Sequence, residues 1–183
     1  MFNGLTGYSA PTEFEHLLVA PFNMRERFIE LITRETEHAQ AGRGGHIRVK
    51  INGLTDPEVI SALYRASQAG VVCELVVRGL CCLRPGVQGL SENISVRSIL
   101  GRFLEHARIY EFSNAGQPEY FIGSADWRPR NLSRRVEIVA PIFDPAHRAT
   151  LAGIITEDLA NPDGWVLDAD GSYHQGERVT DPA

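Results

Sequence analysis

Lysine is almost missing from this sequence: of its 18 Lys and Arg residues only Lys50 is a lysine. Arginine keeps its charge and presents a planar fork of donors suited to anionic oxygens. A coding bias produces the same skew, so composition alone leaves both explanations open. Cysteine is scarce too, and Cys73, Cys81 and Cys82 lie in apolar surroundings without C-x-x-C spacing. That argues against a disulfide framework or zinc ligation and for buried, reduced thiols. No secretory leader is evident, and no apolar run approaches the roughly 20 residues that span a bilayer. The chain therefore reads as soluble and cytoplasmic. G-x-x-x-x-G-K-[ST] does not occur, which excludes a P-loop kinase, and Gly42-Arg43-Gly44-Gly45 reads as a helix-to-strand loop. His16, His38, His46, His147 and His174 have no metal-ligand spacing. A net charge of −5 argues against a general nucleic-acid binder, so positive charge has to be judged locally.

What is present fits one domain of ordinary hydrophobicity, 43% over 183 residues. His16–Ala20 is an apolar run closed by Pro21, a buried strand. Asn23 can cap a helix over Met24–Gln40 whose inward stripe includes Phe28, Leu31 and Ile32. His46–Ile51 alternates, with Ile47, Val49 and Ile51 inward and His46, Arg48 and Lys50 on a basic outer face. Asp56-Pro57 starts a second helix, and Val71–Val77 forms a second buried strand. Arg78–Gly89 is then a loop at a strand's carboxyl end, where open α/β sheets hold ligands. Ser91 or Asn93 opens a helix running to His106, with Ile99, Leu100, Phe103 and Leu104 as its apolar run. Val136–Ala140 is a strand, Asp144-Pro145 starts a last helix, and Asp168–Ser172 makes a hairpin turn before a fraying tail. Strands alternating with helices predict an α/β layered domain.

The stretch from Arg102 to Glu137 concentrates the chemistry. His106 stands at an element boundary. A strand over Arg108–Phe112, a turn at Asn114–Gly116 and a strand over Tyr120–Ile122 lead into Gly123-Ser124-Ala125-Asp126-Trp127. Arg128, Arg130, Arg134 and Arg135 follow. An imidazole, small residues and fixed positive charge point to phosphate chemistry. Each has a plainer reading: His106 as a helix-end cap, Asp126 as a partner of Arg130 or a helix cap, Trp127 as packing, and the arginines as solvated or ion-paired.

Taken in order, LTGYS (Leu5–Ser9), LLVAPFNMRER (Leu17–Arg27), VKINGLTD (Val49–Asp56), VVRGLCCLRPGVQGLSENI (Val76–Ile94), RFLEHARIY (Arg102–Tyr110), GSADWRPRNLSRRVE (Gly123–Glu137) and DGSY (Asp170–Tyr173) span nearly the whole chain. In these words the sequence resembles the carboxy-terminal catalytic domain of the polyphosphate kinase family. The resemblance implies an α/β, phospholipase D-like layered fold with a mixed, mostly parallel sheet flanked by helices. The domain would occupy residues 1–160, with 1–10 a remnant of the preceding domain and 161–183 a hairpin or tail.

The resemblance further implies reversible transfer of the terminal phosphate of ATP to long-chain polyphosphate through a phosphohistidine in a preceding domain outside this chain. His106 matches the second essential histidine, an acid/base group. Arg78, which opens the R-G-x-C-x-L-x-P-G loop, matches a ligand of nucleotide phosphates. Lys50, Arg108, Ser124, Arg128, Arg130 and Arg134 are candidates for a polyphosphate path. ATP or ADP, polyphosphate, Mg2+ held by ligands outside this chain, the missing amino-terminal and first catalytic domains, and a homo-oligomer complete the expectation. The complete enzyme is expected in the cytoplasm, with peripheral membrane association open and no nucleic-acid partner. Arg108 departs from the H-x-K pattern of phospholipase D. Two alternatives stay open: a single-motif phosphodiesterase pairing two His106 residues across a homodimer, and a stand-alone polyphosphate-binding module.

Overall fold

Residues 14–176 are described by the computed structural model. Residues 1–10, expected to be a remnant of a preceding domain, the LTGYS word and the last residues of the tail lie outside the described residues.

Alternation in β2 (His46–Ile51) decides which helices cover which face of the sheet. Ile47, Val49 and Ile51 are buried against Phe28 and Ile32 of α1 (Met24–Gln40) and Val59 and Leu63 of α2 (Pro57–Gln68). The opposite side of β2 is also covered, which corrects the expectation of an open basic face. Arg48 donates to Thr156 Oγ1 at 2.9 Å and Lys50 donates to Asp158, both on α4 (Pro145–Ala160). Lys50 is only 6% exposed as a result.

The sheet has nine strands in the order β1-β7-β6-β5-β2-β3-β4-β8-β9. The others are β1 (Leu18–Ala20), β3 (Val72–Val77), β4 (Ile94–Ser98), β5 (Ile109–Phe112), β6 (Glu119–Gly123), β7 (Glu137–Ile142), β8 (Trp165–Leu167) and β9 (Tyr173–Gln175). The sheet is mixed as expected, but only β2–β3 and β3–β4 pair in parallel. The remaining pairings are antiparallel, so the parallel strands form a central minority. Short connections explain this: the tight turn at Asn114–Gly116 can join only antiparallel neighbours.

Helix starts follow the Asp-Pro signals. Asp56 accepts from the Glu58 and Val59 amides at 3.2 Å each, and Asp144 from the Ala146 and His147 amides at 2.9 and 3.0 Å. Such caps are worth about 1 kcal/mol each. Asn23 behaves otherwise. Its side chain turns back to accept from Val19 N at 2.7 Å and donate to Leu17 O, leaving α1 without a side-chain cap.

The largest departure lies between residues 91 and 108. The expected helix there is absent; β4 occupies Ile94–Ser98, and residues 99–108 run irregularly to β5. Ile94 and Val96 face inward with period two, as a strand requires. Leu100, Phe103 and Leu104 are exposed, Phe103 to 79%. Their spacing imitates a helical stripe, yet within the described residues no surface covers it.

Candidate phosphate-handling site at the sheet end

Strand direction gathers the site. β6 is antiparallel to β5, and β5 to β2, so β2, β3, β4 and β6 all finish at one end of the sheet while β5 begins there. Asn52 follows β2, Arg78 follows β3, Ser124 and Asp126 follow β6, and His106 and Arg108 precede β5. Residues distant in sequence thereby become neighbours.

An aromatic floor supports this end. Phe28, Tyr110 and Trp127 are fully buried, with ring centroids 4.6 Å apart for Phe28–Tyr110 and 5.5 Å for Phe28–Trp127. Trp127 is thus a packing residue, as its plainer reading had it. The Tyr110 hydroxyl donates to Ala125 O, which fixes the segment before Asp126. Burial beside the Asp126 carboxylate keeps that phenol protonated, well above the ordinary tyrosine range. The Trp127 carbonyl accepts from the Thr55 and Asp56 amides at 2.9 and 3.0 Å, and Leu54 exchanges main-chain bonds with Leu80 and Cys82 at 2.8 Å each. The N-G-L-T-D, R-G-L-C-C and G-S-A-D-W words are therefore one interlocked set of loops. Arg25 adds a 2.9 Å ion pair to Asp56 from the first turn of α1.

Asp126 is buried at the centre of the polar network. Arg108 grips it with two donors, Nε to Oδ1 at 3.0 Å and Nη2 to Oδ2 at 3.1 Å. This bidentate geometry is the strong form of a charge-assisted pair. Arg108 Nη1 also donates to the His106 carbonyl at 2.9 Å. The Asn52 amide donates to Asp126 Oδ1 at 2.8 Å, and Asn52 Oδ1 accepts from Arg78 Nε at 2.9 Å. Asp126 pairs with Arg108, then, not with Arg130, and it caps no helix.

The expected site residues fall into two groups. His106 and Arg78 stand at the same end of the sheet, and among the described residues neither the His106 imidazole nor the terminal nitrogens of Arg78 have a protein partner. Arg130 and Arg134 are exposed around the short helix α3 (Pro129–Ser133), also without side-chain partners there. The other group is engaged with the protein. Arg108 is buried on Asp126, and Lys50 is held by Glu105 and Asp158. Ser124 donates to Glu137, and Arg128 lies across Gly53, where an added Cβ would sit 2.8 Å from the arginine's Cδ.

Three residues escaped the sequence reading: Asn52, Glu105 and Asp158. Asn52 could have been suspected from its place one residue beyond an alternating strand. The two carboxylates find their partner only through tertiary packing. The thiols were misjudged in part, since Cys73 is buried but Cys81 is half-buried and Cys82 exposed. No group of three or more His, Cys, Asp or Glu side chains converges among the described residues. Among the described residues no helix is long and apolar enough to cross a membrane.

The family model described as "Polyphosphate kinase C-terminal domain 2" matches residues 17–183. A polyphosphate kinase of Thermosynechococcus vestitus is 55% identical over 96% of the chain, which covers 24% of that relative; one of Pseudomonas aeruginosa is 49% identical, with 26% of it covered. The chain thus spans about a quarter of the length of the relatives it matches. The crystal structure of a Porphyromonas gingivalis polyphosphate kinase superposes on 99% of the chain and 28% of that protein, with a TM-score of 0.93 at 40% identity. Nuc from Salmonella typhimurium, a phospholipase D family member, superposes on 87% of the chain and 97% of its own, with a TM-score of 0.57 at 15% identity; that likeness speaks to fold alone.

Proposed function

The chain belongs to the polyphosphate kinase C-terminal domain family, and on that premise we propose that it supplies one half of a phosphotransferase site. The reaction is reversible transfer of the terminal phosphate of ATP to long-chain polyphosphate. A histidine in a segment beyond these 183 residues attacks the γ-phosphorus, the bond to the ADP oxygen breaks, and the phosphoryl group then passes to the polyphosphate terminal oxygen, freeing the histidine. His106 serves as the acid/base partner, giving a proton to the departing oxygen. Arg78 holds nonbridging phosphate oxygens with its terminal nitrogens, and Arg130 and Arg134 offer charge along the polyphosphate path. Mg2+ belongs to the same proposal, held by ligands outside this chain, and no step here is routed through it. A homo-oligomeric, cytoplasmic enzyme is part of this reading.

The observation that carries the proposal is the placing of His106 and Arg78 at one sheet end with the imidazole and the terminal guanidinium nitrogens unpaired among the described residues. A phosphodiesterase needs a cation two residues after its histidine that is available to substrate. Arg108 holds that position but is committed to Asp126, which disfavours the diesterase.

Calorimetric titration of this chain with long-chain polyphosphate, against sulfate at matched ionic strength, is the direct test. Binding above sulfate that weakens about tenfold or more in Arg78→Ala is expected. In the full-length enzyme, Arg78→Ala and His106→Ala should each abolish most synthesis, and near-normal turnover in both variants sinks the assignment.

A further inference from the structure

Two groups in this site, His106 and Arg78, come from separate segments, one leading into β5 and one following β3. Both are tied to the same carboxylate. On one side Asp126 binds Arg108 through two hydrogen bonds, and Arg108 Nη1 reaches the main-chain oxygen of His106 at 2.9 Å. On the other side Asp126 Oδ1 accepts from the Asn52 amide at 2.8 Å, with a weaker contact to Asn52 Nδ2 at 3.5 Å, and Asn52 Oδ1 receives Arg78 Nε at 2.9 Å. We infer that Asp126 is the positioning residue of this site, setting His106 through Arg108 and Arg78 through Asn52. The inference rests on the reading of Arg78 and His106 as phosphate-facing groups.

The chemistry favours a carboxylate here over any neutral side chain. Only an ionised carboxylate can accept the two parallel donors of Arg108 and a main-chain amide at once without carrying a proton of its own. Burial makes the arrangement stiff, because neither partner can exchange its bonds for water. The stem of Arg78 is fixed at Nε while its two terminal nitrogens stay available, which leaves a fork aimed but unspent. Asparagine at position 126 would present one acceptor and one donor group, and its amide hydrogens would face the Arg108 guanidinium. Asp126 touches no reacting atom in this scheme and acts only through its neighbours.

The arginine Nε–H signals of the labelled chain report the relay directly, because an Nε–H held by a fixed acceptor exchanges slowly with water. Arg108 and Arg78 should both give protected signals. Asp126→Asn should remove both, and Asn52→Ala should remove that of Arg78 while sparing that of Arg108. The indole N–H of buried Trp127 checks that each variant is folded; if Asp126→Asn is not, Asn52→Ala decides the Arg78 arm. An Arg78 signal that stays protected in the folded variants overturns the inference.

Tripolyphosphate titration supplies a second readout. Asp126→Asn should weaken binding about tenfold in the parent and clearly less in an Arg78→Ala background, where only the His106 arm is left to lose, since coupled residues are not additive. Equal losses in both backgrounds mean general damage and overturn the relay. If the parent binds no tripolyphosphate above sulfate, the functional reading of the isolated chain fails while the arginine signals still decide the inference.

Discussion

Lys50, the single lysine of the chain, donates from one Nζ to the carboxylates of Glu105 and Asp158, and Glu105 is the residue before His106. The irregular stretch carrying His106 is therefore pinned to β2 at Glu105, and the His106 carbonyl is pinned by Arg108. Lys50, a candidate for the polyphosphate path, is held here by two protein carboxylates.

Replacing Lys50 tests the anchor. Lys50→Met leaves the largely covered Asp158 carboxylate, 13% exposed, without its cation and is expected to cost about 2–3 kcal/mol. Glu105→Gln removes a half-exposed partner and should cost under about 1 kcal/mol. Denaturant midpoints measure both, and equal losses would refute the ranking. Burial opposes the Lys50 charge, but the bonds from Asp158 and Glu105 outweigh it and hold the ammonium above the ordinary lysine value. A raised cation stabilises in full below its unfolded pKa of about 10.4 and loses that contribution as pH climbs through the folded value. The stability gap between parent and Lys50→Met should thus stay flat through neutrality and shrink only in strong alkali.

Two glycines should respond in opposite directions to alanine. A Cβ on Gly123 would lie 2.3 Å from the Ile138 carbonyl oxygen and 2.7 Å from Val139 Cα, both backbone atoms of the neighbouring strand. Gly123→Ala should therefore destabilise by about 3 kcal/mol or more. Gly153 lies within α4 with open space around its missing Cβ. Gly153→Ala should stabilise by about 0.5–1 kcal/mol. Thermal unfolding of the two variants settles the signs.

Thiol reactivity should follow burial. Burial pushes the Cys73 thiol up to about 12 and Cys81 to about 11, while Cys82 is exposed. At pH 8 a thiol of pKa 11 is only ~0.1% thiolate. Iodoacetamide followed by peptide mass mapping should find Cys82 modified first and Cys73 protected until the protein unfolds. Equal labelling of Cys73 and Cys82 in the folded chain is the result that rules this out.

Arg130 and Arg134 should act together as field more than as contacts. Their joint replacement by alanine is expected to weaken long-chain polyphosphate several-fold, with tripolyphosphate affected less, and to steepen neither titration's dependence on salt. Titrations at two ionic strengths provide the comparison, and equal weakening for both ligands would place these arginines at the Arg78 end instead.

Alternating strands and Asp-Pro helix starts were legible because each depends on residues within one turn or one pleat. Met24–Gln40 and His46–Ile51 lie where periodicity puts them, and both Asp-Pro caps form. The segment from Ser91 to His106 misled for a physical reason. Ile99, Leu100, Phe103 and Leu104 have helical spacing, but Ile94 and Val96 obey a two-residue period and win, since they add a strand to β3. In the site, Arg78 and His106 were visible through sequence words, whereas Asp126's choice of Arg108 over Arg130 depended on which strands run side by side. Lys50 looked solvent-facing by alternation because nothing local announces that α4 covers that face.

The pairing of β1 with β7 puts Leu18 opposite Val139, the outermost strand of the sheet against one made much later in synthesis. In the nascent chain β1 thus emerges long before the strand that pairs with its main chain. β6 likewise keeps one bare edge until Glu137–Ile142 emerges. A ribosome that slows between Gly123 and Glu137 would hold two open strand edges on one polypeptide, the condition under which chains pair with the wrong neighbour. Slower synonymous codons across that short interval are therefore expected to lower the fraction of this protein that matures.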